Sequence, residues 1–310
     1  MLRALVVWLL AAACLGWAVV RLLGLERGFP MVPLVAFTPL MVVGAAAVVA
    51  LAALLRQRAA AAVAAVLAAV LVVLVVPRAL GGPDGADGPR LRVLSANMQF
   101  GTGSPEALVD AVRRTRADVL SVQELTPELA RDLDAAGLAE LLPERVIEPR
   151  PRGPGIGLYA RIPLTPGPIT GRLRNPLAVA TARPRGGPPV ELMAVHVTPP
   201  NRHQVAGWRA DLRAVPRAKP SGRLRILAGD FNATLDHAEL RDLLDSGYVD
   251  AADEVGAGLR ATWPDDRRLP PPVTIDHVLA DARAGVREVS VHPIPGTDHR
   301  AVFAELVLPR

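Results

Sequence analysis

Three apolar runs dominate the start of the chain, over residues 4–23 (interrupted by Arg21 alone), 32–55 and 59–76. Each approaches or exceeds the roughly 18 residues that cross the hydrocarbon of a bilayer, and none carries a charge near its middle. Residues 66–76 are apolar on every face, which water does not tolerate. The pattern predicts three transmembrane helices, over about 4–23, 32–55 and 59–76. The first run continues well past Ala11-Ala-Ala-Cys14, so it reads as an uncleaved span and not as a signal peptide. Flanking arginines divide evenly between the two faces, but Arg56-Gln-Arg58 is the tightest basic loop. That loop places the amino terminus in the cytoplasm and everything after residue 78 outside it.

After residue 78 the period changes. Residues 79–89 have the Gly, Pro and Asp content of a linker, and residues 90–310 form the soluble domain. Residues 90–97 alternate and then turn apolar, predicting a strand that ends on Asn97. Ser104-Pro-Glu opens a helix to about Arg116, with Ser as cap and Pro at the first helical position. Residues 118–124 predict a second strand ending in Glu124, and Thr126-Pro-Glu starts a second helix. Strand then helix, twice, indicates the α/β class. Residues 143–190 are poorer in signal, with strand candidates at 156–160 and 178–182. Residues 190–196 are a clear strand ending in His196, and a helix follows over about 204–215. In residues 224–234 the apolar Ile226-Leu-Ala228 predicts a buried strand that ends at Gly229 and delivers Asp230 and Asn232. In extended chain, positions i and i+2 point the same way, so both face one site. A helix over about 237–244 and strands over 273–280 (bearing Asp276), 286–292 and 301–308 complete the reading, with Asp298 and His299 in the turn before the last strand.

Charge sharpens this division. The whole chain has 35 basic and 30 acidic side chains; removing the six arginines and one glutamate of residues 1–78 leaves 29 of each. A formally neutral soluble domain counts against a dedicated duplex nucleic-acid binder, which shows a basic excess. Cys14 is the single cysteine, so no internal disulfide framework exists.

The polar residues gathered near strand ends are Asn97, Glu124, His196, Asp230, Asn232, Asp276, Asp298 and His299. Any one of them alone would pass for a surface or turn position. Hard oxygen donors such as Glu124 suit Mg²⁺ or Mn²⁺. A histidine backed by a carboxylate moves protons or polarises a phosphate, and amides such as Asn97 and Asn232 bind phosphoryl oxygens without adding negative charge. Together they make a kit for attacking a phosphate ester with water.

Ser95-Ala-Asn97, Val122-Gln-Glu124, Val195-His196, Gly229-Asp-Phe-Asn232, Thr262-Trp263, Ile275-Asp-His-Val278 and Thr297-Asp-His299 resemble, in order and spacing, the endonuclease/exonuclease/phosphatase superfamily. The resemblance covers about residues 90–310. It implies a four-layered α/β sandwich, two packed mixed β-sheets flanked by helices. It implies Glu124 as principal Mg²⁺ (or Mn²⁺) ligand with Asn97 near metal and phosphate, and Asp298 completing the metal side. It further implies Asp230 orienting or activating the attacking water, Asn232 and His196 on the phosphate, and His299 on the scissile phosphate as acid/base or transition-state stabiliser, with Asp276 holding its imidazole. Two departures stand out. Residues 150–190, where nucleases of the group place a further Glu or Tyr, offer only Tyr159, and the domain carries no long insertion of the kind that grips DNA.

The expected protein is a membrane-anchored, metal-dependent phosphoester hydrolase, whose partners are the lipid bilayer and a phosphoester (lipid head group, nucleic acid or small ester). No protein partner is legible. The alternative is a catalytically idle domain that binds or senses phosphoesters in the same pocket.

Overall fold

The apolar stretches beyond residue 89 form strands in the computed structural model, which describes residues 1–85, 87–167, 173–219, 221–265 and 272–310. In chain order the elements are α1 (Leu2–Leu23), α2 (Met31–Val35), α3 (Thr38–Leu54), α4 (Arg58–Val75), β1 (Arg90–Asn97), α5 (Pro105–Thr115), β2 (Val119–Gln123), α6 (Pro127–Ala135), α7 (Leu138–Leu141), β3 (Glu144–Glu148), β4 (Ile156–Ala160), β5 (Leu164–Pro166), β6 (Ala178–Ala182), β7 (Val190–His196), α8 (Val205–Ala214), β8 (Leu224–Asp230), α9 (Ala238–Leu244), β9 (Tyr248–Asp250), α10 (Ala251–Glu254), β10 (Asp276–Asp281), β11 (Gly285–Pro293) and β12 (Arg300–Val307).

Among the described residues, two six-stranded sheets form, in the orders β11-β12-β1-β2-β4-β3 and β5-β6-β7-β8-β10-β9. Both are mixed, because β1 pairs parallel with β2 and β7 parallel with β8 while their other neighbours are antiparallel. Alternation decides which side of each strand faces which layer. Val93, Val119, Leu158, Leu192, Ile226, Val278 and Ala304 meet between the sheets. The opposite side of the first sheet, with Leu94 and Leu120, packs on Val109 and Leu129 of α5 and α6. Leu227 and Leu279 of the second sheet pack on Trp208, Leu212 and Leu240 of α8 and α9. The result is the expected sandwich of two mixed sheets flanked by helices. The predicted caps form: Ser104 Oγ accepts from Ala107 N at 3.2 Å, and Thr126 Oγ1 from Leu129 N at 3.1 Å.

Edge elements escaped the sequence pattern. β3 and β5 are edge strands with exposed positions and no clean alternation, and β9 has three residues. The strand expected over 273–280 starts at Asp276, because Thr262 Oγ1 accepts from Ile275 N and Asp276 N (3.1 and 3.3 Å) and so takes the place of a ladder partner.

The amino-terminal helices pack through small side chains, Cys14, Ala18, Ala45 and Ala64 among them. Two helical stretches, Leu2–Leu23 and Arg58–Ala79, are long and apolar enough to cross a membrane. The run expected as a single helix over 32–55 is instead divided into α2 and α3. Pro39 has no N–H to give to the carbonyl of Val35, and Thr38 Oγ1 takes that carbonyl at 2.7 Å, starting a new helix.

These helices are fastened to the sandwich just after β8. Asp236 receives Arg21 Nε at 2.6 Å and Arg78 at 2.6 and 2.8 Å, all three side chains being buried. Glu26 accepts from Ala238 N at 2.6 Å, and His237 Nε2 meets the carbonyl of Val32 at 2.9 Å. The segment read as a linker is strapped to the sandwich, with Gly82 N bonded to Glu254 O, Asp84 N to Val286 O and Leu308 N to Pro89 O. Position 86 of that segment lies outside the described residues.

Gly229 has no room for a side chain against β7: a Cβ there would sit 1.8 Å from the carbonyl oxygen of Val195. Gly229→Ala must push the strands apart beside Asp230. A loss of about 3 kcal/mol or more is expected from such overpacking, read as a lowered unfolding midpoint by circular dichroism.

Candidate active site

At one edge of the sandwich, strand ends from both sheets converge. From the second sheet, His196 ends β7, Asp230 ends β8 and Asp276 begins β10, and register alone sets His196 and Asp276 on either side of Asp230. From the first sheet come Asn97 at the end of β1, Glu124 just past β2, and Asp298 and His299 just before β12. All eight expected residues therefore meet in one place. Glu124, His196, Asp230, Asn232, Asp298 and His299 line a cleft of about 530 Å³, together with Phe100 and Trp263.

The backbone makes this possible at two strained positions. Glu124 has φ 58° and Asn232 has φ 47°, so both leave their strands in the left-handed region. This corrects the extended i, i+2 argument: Asn232 converges on Asp230 through a turn, its N donating to Asp230 Oδ1 at 2.7 Å and its Nδ2 to Oδ2 at 3.1 Å. Asn97 Nδ2 donates to the same Oδ2 at 3.0 Å and to Glu124 Oε1 at 3.3 Å. The other Glu124 oxygen accepts from Phe100 N at 2.6 Å.

His299 Nδ1 lies 3.0 and 3.1 Å from the two oxygens of Asp276, so that carboxylate holds the Nδ1 proton and turns Nε2 into the cleft. Nε2 stands 3.9 Å from Asp230 and 3.8 Å from Asp298. Asp298 is itself oriented by the indole of Trp263, whose Nε1 donates at 2.9 Å. His196 Nε2 is 3.6 Å from Glu124 and 3.8 Å from Asp230, and its buried Nδ1 has no partner among the described residues.

Burial raises Asp230 well above the usual carboxylate range; His299 pulls it back, while Asp276 adds to the rise. Burial also raises Glu124, against the bonds from Phe100 and Asn97. For His299, burial opposes the charge, but Asp276, Asp230 and Asp298 outweigh it and raise the imidazole. Burial and the neighbouring His299 hold His196 down, to about 4, so it is neutral. In the buried part of the site four carboxyl groups thus face one imidazolium, with Arg152 the other cation lining the cleft. A further positive charge would favour entry of an anionic phosphate, and Glu124, Asp230 and Asp298 with the amide of Asn97 are the hard donors that suit a divalent cation. Asp230, Asp276 and His299 also place one ligand atom each within 4.8 Å of one another. In that trio, however, Asp276 is spent on the Nδ1 of His299.

Sequence reasoning missed the supports beneath the site. Ser121 Oγ donates across the sheets to Ala228 O at 2.8 Å, Gln123 Nε2 to Ser121 Oγ at 2.7 Å, and Ser95 Oγ to Gln123 Oε1 at 3.3 Å. His277 bridges Asp250 (2.6 Å) and the carbonyl of Ala233 (2.8 Å), which pins the chain just after Asn232. These side chains are buried within or at the ends of strands, where a polar residue in or beside an apolar run is the only signal available. Tyr159 does not line the cleft: its side chain is packed between sheet and helices and its hydroxyl is buried with no partner among the described residues.

A model of the Endonuclease/Exonuclease/phosphatase family matches residues 94–299. No curated protein matches the chain. Similar solved structures include a humanized D. rerio TDP2 with 14 mutations, at 17% identity and TM-score 0.56, covering 70% of this chain and 98% of that one. An endonuclease/exonuclease/phosphatase from Beutenbergia cavernae is similar at 17% identity and TM-score 0.55, covering 71% and 72%. D. rerio TDP2 complexed with single strand DNA product is similar at 18% identity and TM-score 0.53, covering 70% and 98%. At these identities the likeness establishes the fold.

Proposed function

The chain belongs to the Endonuclease/Exonuclease/phosphatase family, and from that premise we propose that it is a divalent-metal-dependent phosphoester hydrolase held at a membrane by its amino-terminal helices, with residues 90–310 on the extracytoplasmic side. The observation that carries the reading is the pairing, in one cleft, of a buried Asp276–His299 couple with a hydrogen-bonded Asp230. Glu124, Asn97 and Asp298 would hold Mg²⁺ or Mn²⁺, which would supply the positive charge that draws in and polarises the phosphoryl group.

Asp230 takes the proton of the attacking water; its burial favours a neutral carboxyl, so accepting that proton is easy. Asn97 and Asn232 fix the carboxylate through three hydrogen bonds. His299, kept charged by Asp276, presents Nε2–H to the phosphoryl oxygens and gives its proton to the departing oxygen. Neutral His196 is a further phosphate contact, and Trp263 keeps Asp298 facing the cleft.

The purified full chain is expected to hydrolyse bis-p-nitrophenyl phosphate with Mg²⁺ or Mn²⁺, to lose the activity in EDTA, and to regain it when either ion is restored. Absence of turnover on a broad panel of phosphodiesters and monoesters under these conditions would favour a domain that only binds. Trp263→Phe keeps the ring but removes the donor to Asp298, and it is expected to lower kcat about tenfold, in line with loss of one hydrogen bond to a charged group, without shifting the unfolding midpoint by more than a few degrees.

A further inference from the structure

A second concavity adjoins the cleft. It encloses about 380 Å³ between the segment joining α1 to α3 and the sandwich, and its walls include Phe29, Pro33 and Phe37 on one side and Pro200, Val273 and Ile275 on the other. Pro199, Asn232 and Trp263 line both spaces, so the two are continuous at the catalytic edge. We propose that this groove receives the apolar chain of a membrane lipid phosphoester whose phosphate lies in the cleft. The inference deepens the hydrolase reading and rests on it.

Three observations favour this occupant. Among the described residues the groove is lined by aromatic, proline and aliphatic side chains with Asn201, Asn232 and His237, and none is Lys, Arg, Asp or Glu, a lining that matches hydrocarbon better than the phosphates of a nucleic-acid flank. A concave, largely apolar surface gains by covering itself with hydrocarbon. The wall itself is built by the segment between helices α1 and α3, and Leu25, Phe29 and Leu34 of that segment leave 44%, 53% and 40% of their surface exposed, an apolar rim suited to a lipid surface. The segment is held against the sandwich by Glu26, Val32 and the Arg21–Asp236 pair, so the groove and the reacting groups keep one geometry. In the reaction, the water oxygen bonds to phosphorus, one ester P–O bond breaks, Asp230 takes the water's proton and His299 protonates the departing oxygen, leaving a phosphomonoester and an alcohol.

Chain length tests this. With the full chain in an amphipathic polymer, methyl p-nitrophenyl phosphate and dodecyl p-nitrophenyl phosphate present the same reacting bond. KM is expected to be lower for the dodecyl ester by about tenfold or more, because each buried methylene strengthens binding severalfold. Phe37→Gln and Phe29→Gln should erase that difference while leaving turnover of the methyl ester unchanged, and Phe29, being half exposed, tolerates the change. Equal KM values for the two esters, or a preference that survives both substitutions, would overturn the groove and leave the hydrolase standing. Cleavage of a single-stranded oligonucleotide in preference to the dodecyl ester would also overturn it. Calorimetric binding of dodecyl phosphate against methyl phosphate, in wild type and Phe37→Gln, reads the groove without catalysis. A chain preference lost in the variant, with no turnover of either ester, would support the groove and sink the hydrolase reading.

Discussion

His299→Ala is expected to lower kcat for bis-p-nitrophenyl phosphate by about 10³-fold, within the range that a positioned acid or base supplies, with Asp276→Asn lowering it by about 10²-fold. The decisive quantity is the double variant. Asp276 acts through the imidazole it holds at 3.0–3.1 Å, so once His299 is gone its carboxylate has nothing left to orient. The double variant should therefore be no slower than His299→Ala, the non-additivity expected of groups that work as one unit. Multiplicative losses would show Asp276 acting on its own, as the close grouping of Asp230, Asp276 and His299 would allow if the three gripped a metal together. Single-turnover rates on variants of unchanged circular dichroism make the measurement.

Asp236→Ala is the substitution expected to cost the most stability. Its carboxylate sits between two buried arginines, and removing it strands both charges away from water. Loss of a buried partner costs about 3–5 kcal/mol, which for a chain of this size lowers Tm by roughly 6–20 °C. Because residue 236 follows the Asp230–Asn232 turn and its neighbours contact α1 and α2, detachment of the helices from the sandwich should accompany the loss, visible as protease cleavage near residues 24–30. The triple change of Asp236→Leu, Arg21→Met and Arg78→Met leaves no charge stranded and should recover most of the midpoint. The pH sign follows from the pairing: burial alone would raise Asp236, but Arg78 and Arg21 outweigh it and hold its carboxyl below the ordinary range. Its stabilisation is therefore complete above about pH 4 and disappears as pH falls through the lower value of the folded state.

The convergence of the site was legible from the order of polar residues at strand ends, because a strand that is apolar throughout can carry a functional side chain only where it emerges from the core. Asp230 and His196 were placed at strand ends in this way, while Asp276 was read inside a strand that in fact begins with it; the three stand in register on adjacent strands. The route of Asn232 to Asp230 was misread, since a positive φ leaves no trace in a pattern of apolar and polar letters. Tyr159 was ambiguous for a similar reason: in β4, buried on both faces, alternation does not say which layer a side chain joins.

Local chemistry set what local chemistry can set: helix caps at Ser104 and Thr126, the α/β alternation, the apolar helices, and an inventory of carboxylates, amides and histidines suited to a phosphate. Only the tertiary structure decided how those pieces meet. Asp276 finds His299 across 23 residues and Asp236 finds Arg78 and Arg21 across 158 and 215, separations over which sequence spacing carries no geometry. The apolar groove beside the cleft belongs to the same class, because one wall comes from residues 29–37 and the other from residues 199–275, held together in part by the buried Arg21–Asp236 pair.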